Sequence, residues 1–342
     1  MSNFVNLINS SGILDDDPFV YVDAGCSNME RTGLLQMMEN YFGKNLTVFG
    51  FDAMNEECYR LQEFYKSKAG TYIIEPAMLT GPKEYMKRAE EDKLKFTNDN
   101  WWHRTWTSYC INKYQNSESE KYVGFETSWT DREIILDDYL KDKGNVDFIK
   151  IDIDQPNAAC LEGCLQTLKN KNVYAVELEV HVNRPQGRTS NSLVDVGLKM
   201  IEQGYTICSI GGLLKYSKRA LPSPFVQIDH TQTKTGQHWQ CDVLFVKDHY
   251  RDTDEHLDEQ KLIKKLKLCC LYMIYNLSDI AAEILLKNKK NYNLLFKDYQ
   301  FDVDILVDVL CKDKYGVNYK EHISNSIKEA EQIKLRKKEL GF

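Results

Sequence analysis

The sequence predicts an α/β fold with a mostly parallel sheet, followed by a helical C-terminal extension. Three observations predict it. Short apolar runs alternate with amphipathic stretches up to about residue 250, the pattern of successive βαβ units. Several of these runs end in acids (Asp23, Asp52, Asp152), at the strand ends where an open parallel sheet binds its ligand. After Lys247 the apolar period becomes helical and stays so.

Phe19-Val20-Tyr21-Val22 reads as the first strand, running into Asp23-Ala24-Gly25, with a helix over Thr32 to Phe42. Leu46 to Phe51 is the second strand, ending at Asp52, with a helix over 54–67 and a short third strand from Thr71 to Ile74. Residues 78–145 are less regular and include the aromatic stretch around Trp101, Trp102, His103 and Arg104. Val146 to Ile153 is the clearest buried strand, followed by a helix over Ala158 to Leu168 and a strand over Val173 to Val180. A helix over Ser192 to Gln203 stops at Gly204, and Tyr205 to Ile210 and Cys241 to Val246 form a closing pair of strands. Beyond the charged stretch 248–256, Leu262, Leu266, Cys269, Met273 and Leu277 keep helical spacing, and Ser278 caps a helix carrying Ile280, Ile284 and Leu285. Ile323, Ile327, Ala330 and Ile333 repeat the period near the end. Residues 1–254 are therefore expected to form the main domain and 255–342 a helical C-terminal domain, an assembly or lid element whose faces would serve self-association into a homo-oligomer.

Charge narrows the choice of partner. Residues 255–342 hold 16 basic and 14 acidic side chains, so a net −7 for 342 residues leaves −9 on the main domain. A protein that grips phosphates does so with clustered Lys and Arg, so this balance argues against nucleic acid. No apolar run approaches the ~20 residues a membrane span needs, and the N-terminus lacks a basic segment followed by an apolar one. Ten dilute cysteines without an export signal read as reduced thiols, with the cytoplasm as the default compartment.

The chemistry sits at three strand ends. Gly25 lets the chain turn tightly after Asp23. Asp52, 29 residues on, can accept hydrogen bonds from both hydroxyls of a ribose, or alternatively cap the helix starting near Asn55. The first turn lacks the further glycines that a dinucleotide pyrophosphate requires, whereas S-adenosylmethionine carries no phosphate. In Asp147 to Asp154, Ile149, Ile151 and Ile153 alternate with Lys150, Asp152 and Asp154, so one face is apolar and the other carries charge to the strand end. Glu177, Glu179 and His181 share a face of the next predicted strand, and carboxylates with one imidazole suit Mg²⁺ or Mn²⁺. Asp152, helped by Asp154 and His181, is the expected catalytic group, as a base or through a bound cation. Trp101, Trp102, Trp106 and Tyr109 offer flat faces for sugar rings, or packing for a lid. Cys160 and Cys164 share a helix face but lack the second pair that a zinc site needs, and read as core.

Taken in order, these segments resemble the FkbM family of S-adenosylmethionine-dependent O-methyltransferases over roughly residues 19–247. The resemblance rests on Asp23-Ala24-Gly25-Cys26-Ser27-Asn28-Met29-Glu30-Arg31-Thr32, Phe49-Gly50-Phe51-Asp52, Ile135-Leu136-Asp137-Asp138-Tyr139-Leu140, Val146 to Asp154, Leu161-Glu162-Gly163, Ala175 to Glu179, Gly204-Tyr205 and Asp242-Val243-Leu244-Phe245. Met29 stands where the family has glycine, and Gln155-Pro156-Asn157 replaces its Gly-x-Glu. The resemblance implies a Rossmann-like class I methyltransferase fold, with S-adenosyl-L-methionine held by Asp23, Gly25, Ser27, Asn28, Asp52 and Ala53. It implies methyl transfer to a hydroxyl of a glycan or glycosylated small molecule. The rival readings are an RNA-modifying methyltransferase, which the same fold supports, and a non-catalytic binding or scaffold protein on that fold.

Overall fold

The computed structural model describes residues 2–95, 129–153, 157–182, 191–216, 237–247 and 258–339. Asp154, Gln155, Pro156, the Trp101–Tyr109 segment and the charged stretch 248–256 lie outside the described residues.

The strands are β1 (Phe19–Ala24), β2 (Leu46–Asp52), β3 (Thr71–Pro76), β4 (Met78–Leu79), β5 (Glu133–Ile134), β6 (Phe148–Ile151), β7 (Ala175–His181), β8 (Tyr205–Tyr216) and β9 (Gln237–Lys247). Seven of them form one sheet in the order β3-β2-β1-β6-β7-β9-β8, while β4 and β5 pair separately. β2 with β3, β1 with β6 and β6 with β7 are parallel, and β9 runs against its neighbours β7 and β8. This is a mostly parallel, Rossmann-like sheet. The strand order reverses between β1 and β6, the switch point beside which open α/β sheets hold their ligands.

The described residues fall into two compact units. One comprises Val20–Thr32 and Leu46–Asp252, and the other Met1–Phe19, Gly33–Asn45 and Thr253–Phe342. The chain thus changes unit near residue 253, and two N-terminal segments belong with the C-terminal helices.

In the sheet unit, alternation sets the core. Val20, Val22, Ala24, Ile149, Ile151, Val176, Leu178, Val180, Val243 and Phe245 are buried together. The strand pairs in register keep Asp23, Lys150 and Glu177 off that apolar face. The helix expected over Ala158 to Leu168 is two short ones, Asn157–Glu162 and Leu165–Asn170. The break has a packing cause: a Cβ on Gly163 would lie 2.5 Å from the Thr80 carbonyl, so the chain passes there only without a side chain. Asp137 caps the second helix by accepting the Gln166 and Thr167 amides at 3.1 and 2.6 Å, which explains the first of the paired acids in Leu136-Asp137-Asp138. Cys160 and Cys164 are fully buried in the core, as expected.

The helical unit contains Asn3–Ser10, Gly33–Phe42, Glu259–Ile274, Ser278–Lys287, Lys289–Leu295, Val303–Tyr315 and Tyr319–Glu339. Asp313 ties down the first helix, accepting from Ser2 Oγ, Asn3 Nδ2 and the Phe4 amide at 2.8, 2.6 and 3.1 Å. Lys267, 1% exposed, is held by Asp17 Oδ1 at 2.7 Å and the Pro18 carbonyl at 2.9 Å, so its buried charge is paired and hydrogen-bonded. The apolar period near the end lies on Tyr319–Glu339, where Ile323, Ile327 and Ile333 are exposed. Among the described residues, no helix is long and apolar enough to cross a membrane, and the nine described cysteines, of ten in the sequence, form no disulfide with one another.

Candidate functional site

The site lies in the sheet unit, at the C-terminal ends of β1, β2 and β6. After β1 the chain turns at Gly25, whose φ is +99°, and the Gly25 and Cys26 amides both donate to the Phe51 carbonyl at 2.9 Å. A Cβ at Gly25 would lie 1.9 Å from the Asp152 carbonyl. Glycine is therefore required so that the first loop can lie against the end of β6, which brings the Asp23 and Asp152 segments together.

Asp52 organises this loop. Its Oδ2 accepts the Ser27 amide at 3.1 Å and its Oδ1 the Met54 amide at 2.9 Å. The two roles of Asp52, ligand acceptor and helix-start acceptor, are chemically compatible, because one carboxylate offers about four acceptor positions. Asn28 takes the left-handed conformation, φ +53°, and its amide donates to Glu57 Oε1 at 2.7 Å. Arg60 grips Glu57 and Glu30, and its hydrogen bond and charge hold the Glu57 carboxyl below the usual range. Glu30, Glu57 and Arg60 were not anticipated. Their spacing within the helix after β2 (i, i+3) was the available signal, but only folding brings Glu30 and Asn28 to them.

Met29, where the resembling family has glycine, is 1% exposed and donates its amide to Cys26 O at 3.0 Å in a 3₁₀ turn. After Gly25, the next left-handed residue in this loop is Asn28, and Met29 does not adopt a glycine conformation. Ala53 follows Asp52, and its carbonyl accepts the Thr130 amide at 2.9 Å.

One face of the sheet gathers the remaining charge. Asp23, Lys150 and Glu177 are cross-strand partners in a single row, and Asp152 stands on the same face two residues beyond Lys150. Lys150 Nζ is 2.6 Å from Asp152 Oδ2. Burial works against the Lys150 ammonium, but the carboxylates of Asp23, Asp152 and Glu177 outweigh it and hold Lys150 well above the usual lysine range. Asp23 is 2% exposed, and its Oδ1 has no hydrogen-bond partner among the described residues. Burial pushes its carboxyl up to about 6, while Lys150 and the Tyr21 hydrogen bond pull the other way.

Glu179 and His181 continue the β7 face, opposite Asp242 and Gln240 of β9. Glu179 is engaged by the amide groups of Gln240 and Asn157. His181 is 7% exposed, its backbone amide held by the Asn191 carbonyl at 2.9 Å. Among the described residues no group of three or more His, Cys, Asp or Glu side chains is arranged to hold a metal ion.

Asn157, in the departure Gln155-Pro156-Asn157, is a clamp. Its Oδ1 accepts the Ile153 amide at 2.8 Å and its Nδ2 donates to the Glu179 carbonyl at 3.0 Å, joining the end of β6 to β7. Asn157→Ala is expected to destabilise the protein by about 2–3 kcal/mol, because it strands buried polar groups without partners. Chemical denaturation checks this, and an unchanged midpoint would mean that water replaces the side chain.

No family model matches the chain, and no curated protein matches it. Among solved structures, 13 chains are similar. Methyltransferase FkbM from Methylobacillus flagellatus KT is similar at 15% identity and a TM-score of 0.34, over 71% of this chain and 47% of that one. This chain thus spans about half the length of that structure. Sp1610 of Streptococcus pneumoniae, a candidate tRNA (m1A22) methyltransferase, is similar at 9% identity and a TM-score of 0.29, over 92% of this chain and 98% of that one.

Proposed function

We propose that the chain is an S-adenosylmethionine-dependent methyltransferase whose acceptor is a hydroxyl of a glycan or glycosylated small molecule. The observation that carries this reading is the convergence of Asp23, Asp52 and the Lys150–Asp152 pair at the switch point of the sheet, around a loop with one glycine. That donor set suits an adenosyl ligand. Asp52, whose carboxylate already binds the loop amides, would accept from ribose hydroxyls at that strand end, and the buried Asp23 Oδ1, without a partner among the described residues, is suited to a cationic donor. A loop without a glycine-rich phosphate cradle matches a nucleoside ligand that lacks a pyrophosphate.

Asp23, Gly25, Ser27, Asn28, Asp52 and Ala53 would hold the cofactor. The bound cofactor supplies a methyl carbon already activated by a sulfonium. The protein's remaining work is to orient the acceptor, exclude water and receive a proton. Asp152 follows the end of β6 with Lys150 Nζ 2.6 Å from its Oδ2, and would present its charge to the cationic centre. His181, at the end of β7, and Asp154 are proposed to assist. A divalent cation as an alternative activator predicts loss of activity with a chelator and its return with Mg²⁺ or Mn²⁺.

Two measurements test the reading. Calorimetry with S-adenosylmethionine is expected to show binding, and tighter binding of NADH would overturn the cofactor assignment. Incubation with methyl-tritiated cofactor and separate sugar, lipid-glycan and RNA pools is expected to label a glycan pool. Label confined to RNA would replace the acceptor class, and binding with no label in any pool would favour a non-catalytic role.

A further inference from the structure

We propose that Asp242 of β9 is the group that accepts the acceptor's proton in this reaction. The inference rests on the methyltransferase reading above and assigns a role that the strand ends alone do not suggest. In register, Asp242 faces Glu179 of β7 on one side and Gly211 of β8 on the other. Glu179 lies two residues beyond Glu177 on the same face, as Asp152 lies two residues beyond Lys150, so Asp242 continues the face that carries Asp23, Lys150 and Glu177.

The groups around Asp242 divide clearly. Lys150 neutralises Asp152 at 2.6 Å, and Glu179 is engaged by Gln240 and Asn157. The Asp242 carboxylate accepts no hydrogen bond among the described residues, although it is only partly exposed. A carboxylate in that position is costly to ionise unless a ligand uses it. Burial raises its proton affinity, the charge of Asp152 raises it further, and Lys150 opposes both. Glu177 and Asp23 face Lys150 from the adjoining strands, and add to the negative field there. Asp23 Oδ1, buried and unpartnered, is a second acceptor on the same face.

The approach to Asp242 is also built in. Gly212 has φ +54°, and a Cβ there would lie 2.2 Å from Asp242 Oδ2. Only glycine leaves the carboxylate where it is. In the proposed step the acceptor's O–H bond breaks and its proton passes to an Asp242 oxygen. The oxygen's electron pair forms the new bond to the methyl carbon, and the pair of the broken sulfur–carbon bond stays on sulfur. The protonated carboxyl then returns its proton to solvent.

The test uses the full chain with ¹³C-labelled aspartate carboxylates, the Asp242 signal being assigned by its loss in Asp242→Asn. This readout needs no acceptor. The Asp242 signal is expected to titrate above the ordinary aspartate range, and its midpoint is expected to move when S-adenosylmethionine is added. In the pool that the wild type labels, Asp242→Asn should lose about 10²-fold or more in methyl transfer while binding the cofactor within about threefold. Asp242→Glu should recover part of the rate, and Gly212→Ala should lower it with the carboxylate still present. A midpoint unmoved by the cofactor, or transfer by Asp242→Asn within about threefold of wild type, would overturn the assignment while leaving the methyltransferase reading intact. Failure of the wild type to bind S-adenosylmethionine would instead remove that reading, and this proposal with it.

Discussion

Asp52→Ala is expected to weaken S-adenosylmethionine binding by at least ~10²-fold. Each charge-assisted hydrogen bond is worth ~1.5–3 kcal/mol, and tenfold in affinity corresponds to ~1.4 kcal/mol. The substitution removes the acceptors proposed for the ribose hydroxyls. It also frees the Ser27 and Met54 amides that Asp52 now fixes at 3.1 and 2.9 Å, so the loop that should meet the cofactor loses its anchor. The two losses can be separated. Glu57→Gln keeps Asp52 but weakens the neighbouring tie to the Asn28 amide, and should cost less than Asp52→Ala. Titration calorimetry on both variants checks this, with thermal midpoints confirming that each is folded. Affinity in Asp52→Ala equal to that of the wild type would remove Asp52 from the site.

Gly25→Ala should be the most damaging single methyl group at the site. The new Cβ would lie 1.9 Å from the Asp152 carbonyl, a backbone atom that cannot swing aside, and the residue would have to keep φ near +99°. Backbone strain of ~1–3 kcal/mol adds to a similar cost for overpacking. Together they give ~2–6 kcal/mol, or a fall in thermal midpoint of at least ~5 °C. Gly33→Ala is the control, because nothing lies within 4 Å of the added Cβ and its φ is not positive. That variant should be neutral or slightly stabilised, since alanine suits a helix better. Comparable midpoints for the two variants would show that the first loop yields rather than clashes.

The strand ends bearing Asp23, Asp52 and Asp152 could be read from the sequence because a parallel strand ending in an acid leaves a local record. Apolar residues alternate or run together for a few positions, and then a polar group and a glycine appear. The helix break at Gly163 left no comparable trace, since its cause is the Thr80 carbonyl, remote in sequence. Met29 shows the same limit from the other side. Judged by motif it departs from a glycine, but in the fold Asn28 carries the left-handed conformation and Met29 sits in the core. Asn157 likewise reads as a departure, yet it clamps two strands through hydrogen bonds that span 22 positions.

The sequence by itself determined the alternation of strands and helices, the helical character of the C-terminal residues, and which acids end the first, second and sixth strands. Periodicity and turn chemistry are properties of neighbouring residues, so they need no knowledge of the rest of the chain. Only the tertiary structure decided that residues 3–10 and 33–42 belong with the C-terminal helices, and that Lys150 pairs with Asp152. It alone brought Asp242, far along the chain on an antiparallel strand, to the row of Glu179 and Gly211. Strand order and register depend on how whole faces bury against one another, and a shift of one residue in register would turn Asp242 into the core instead of toward the site.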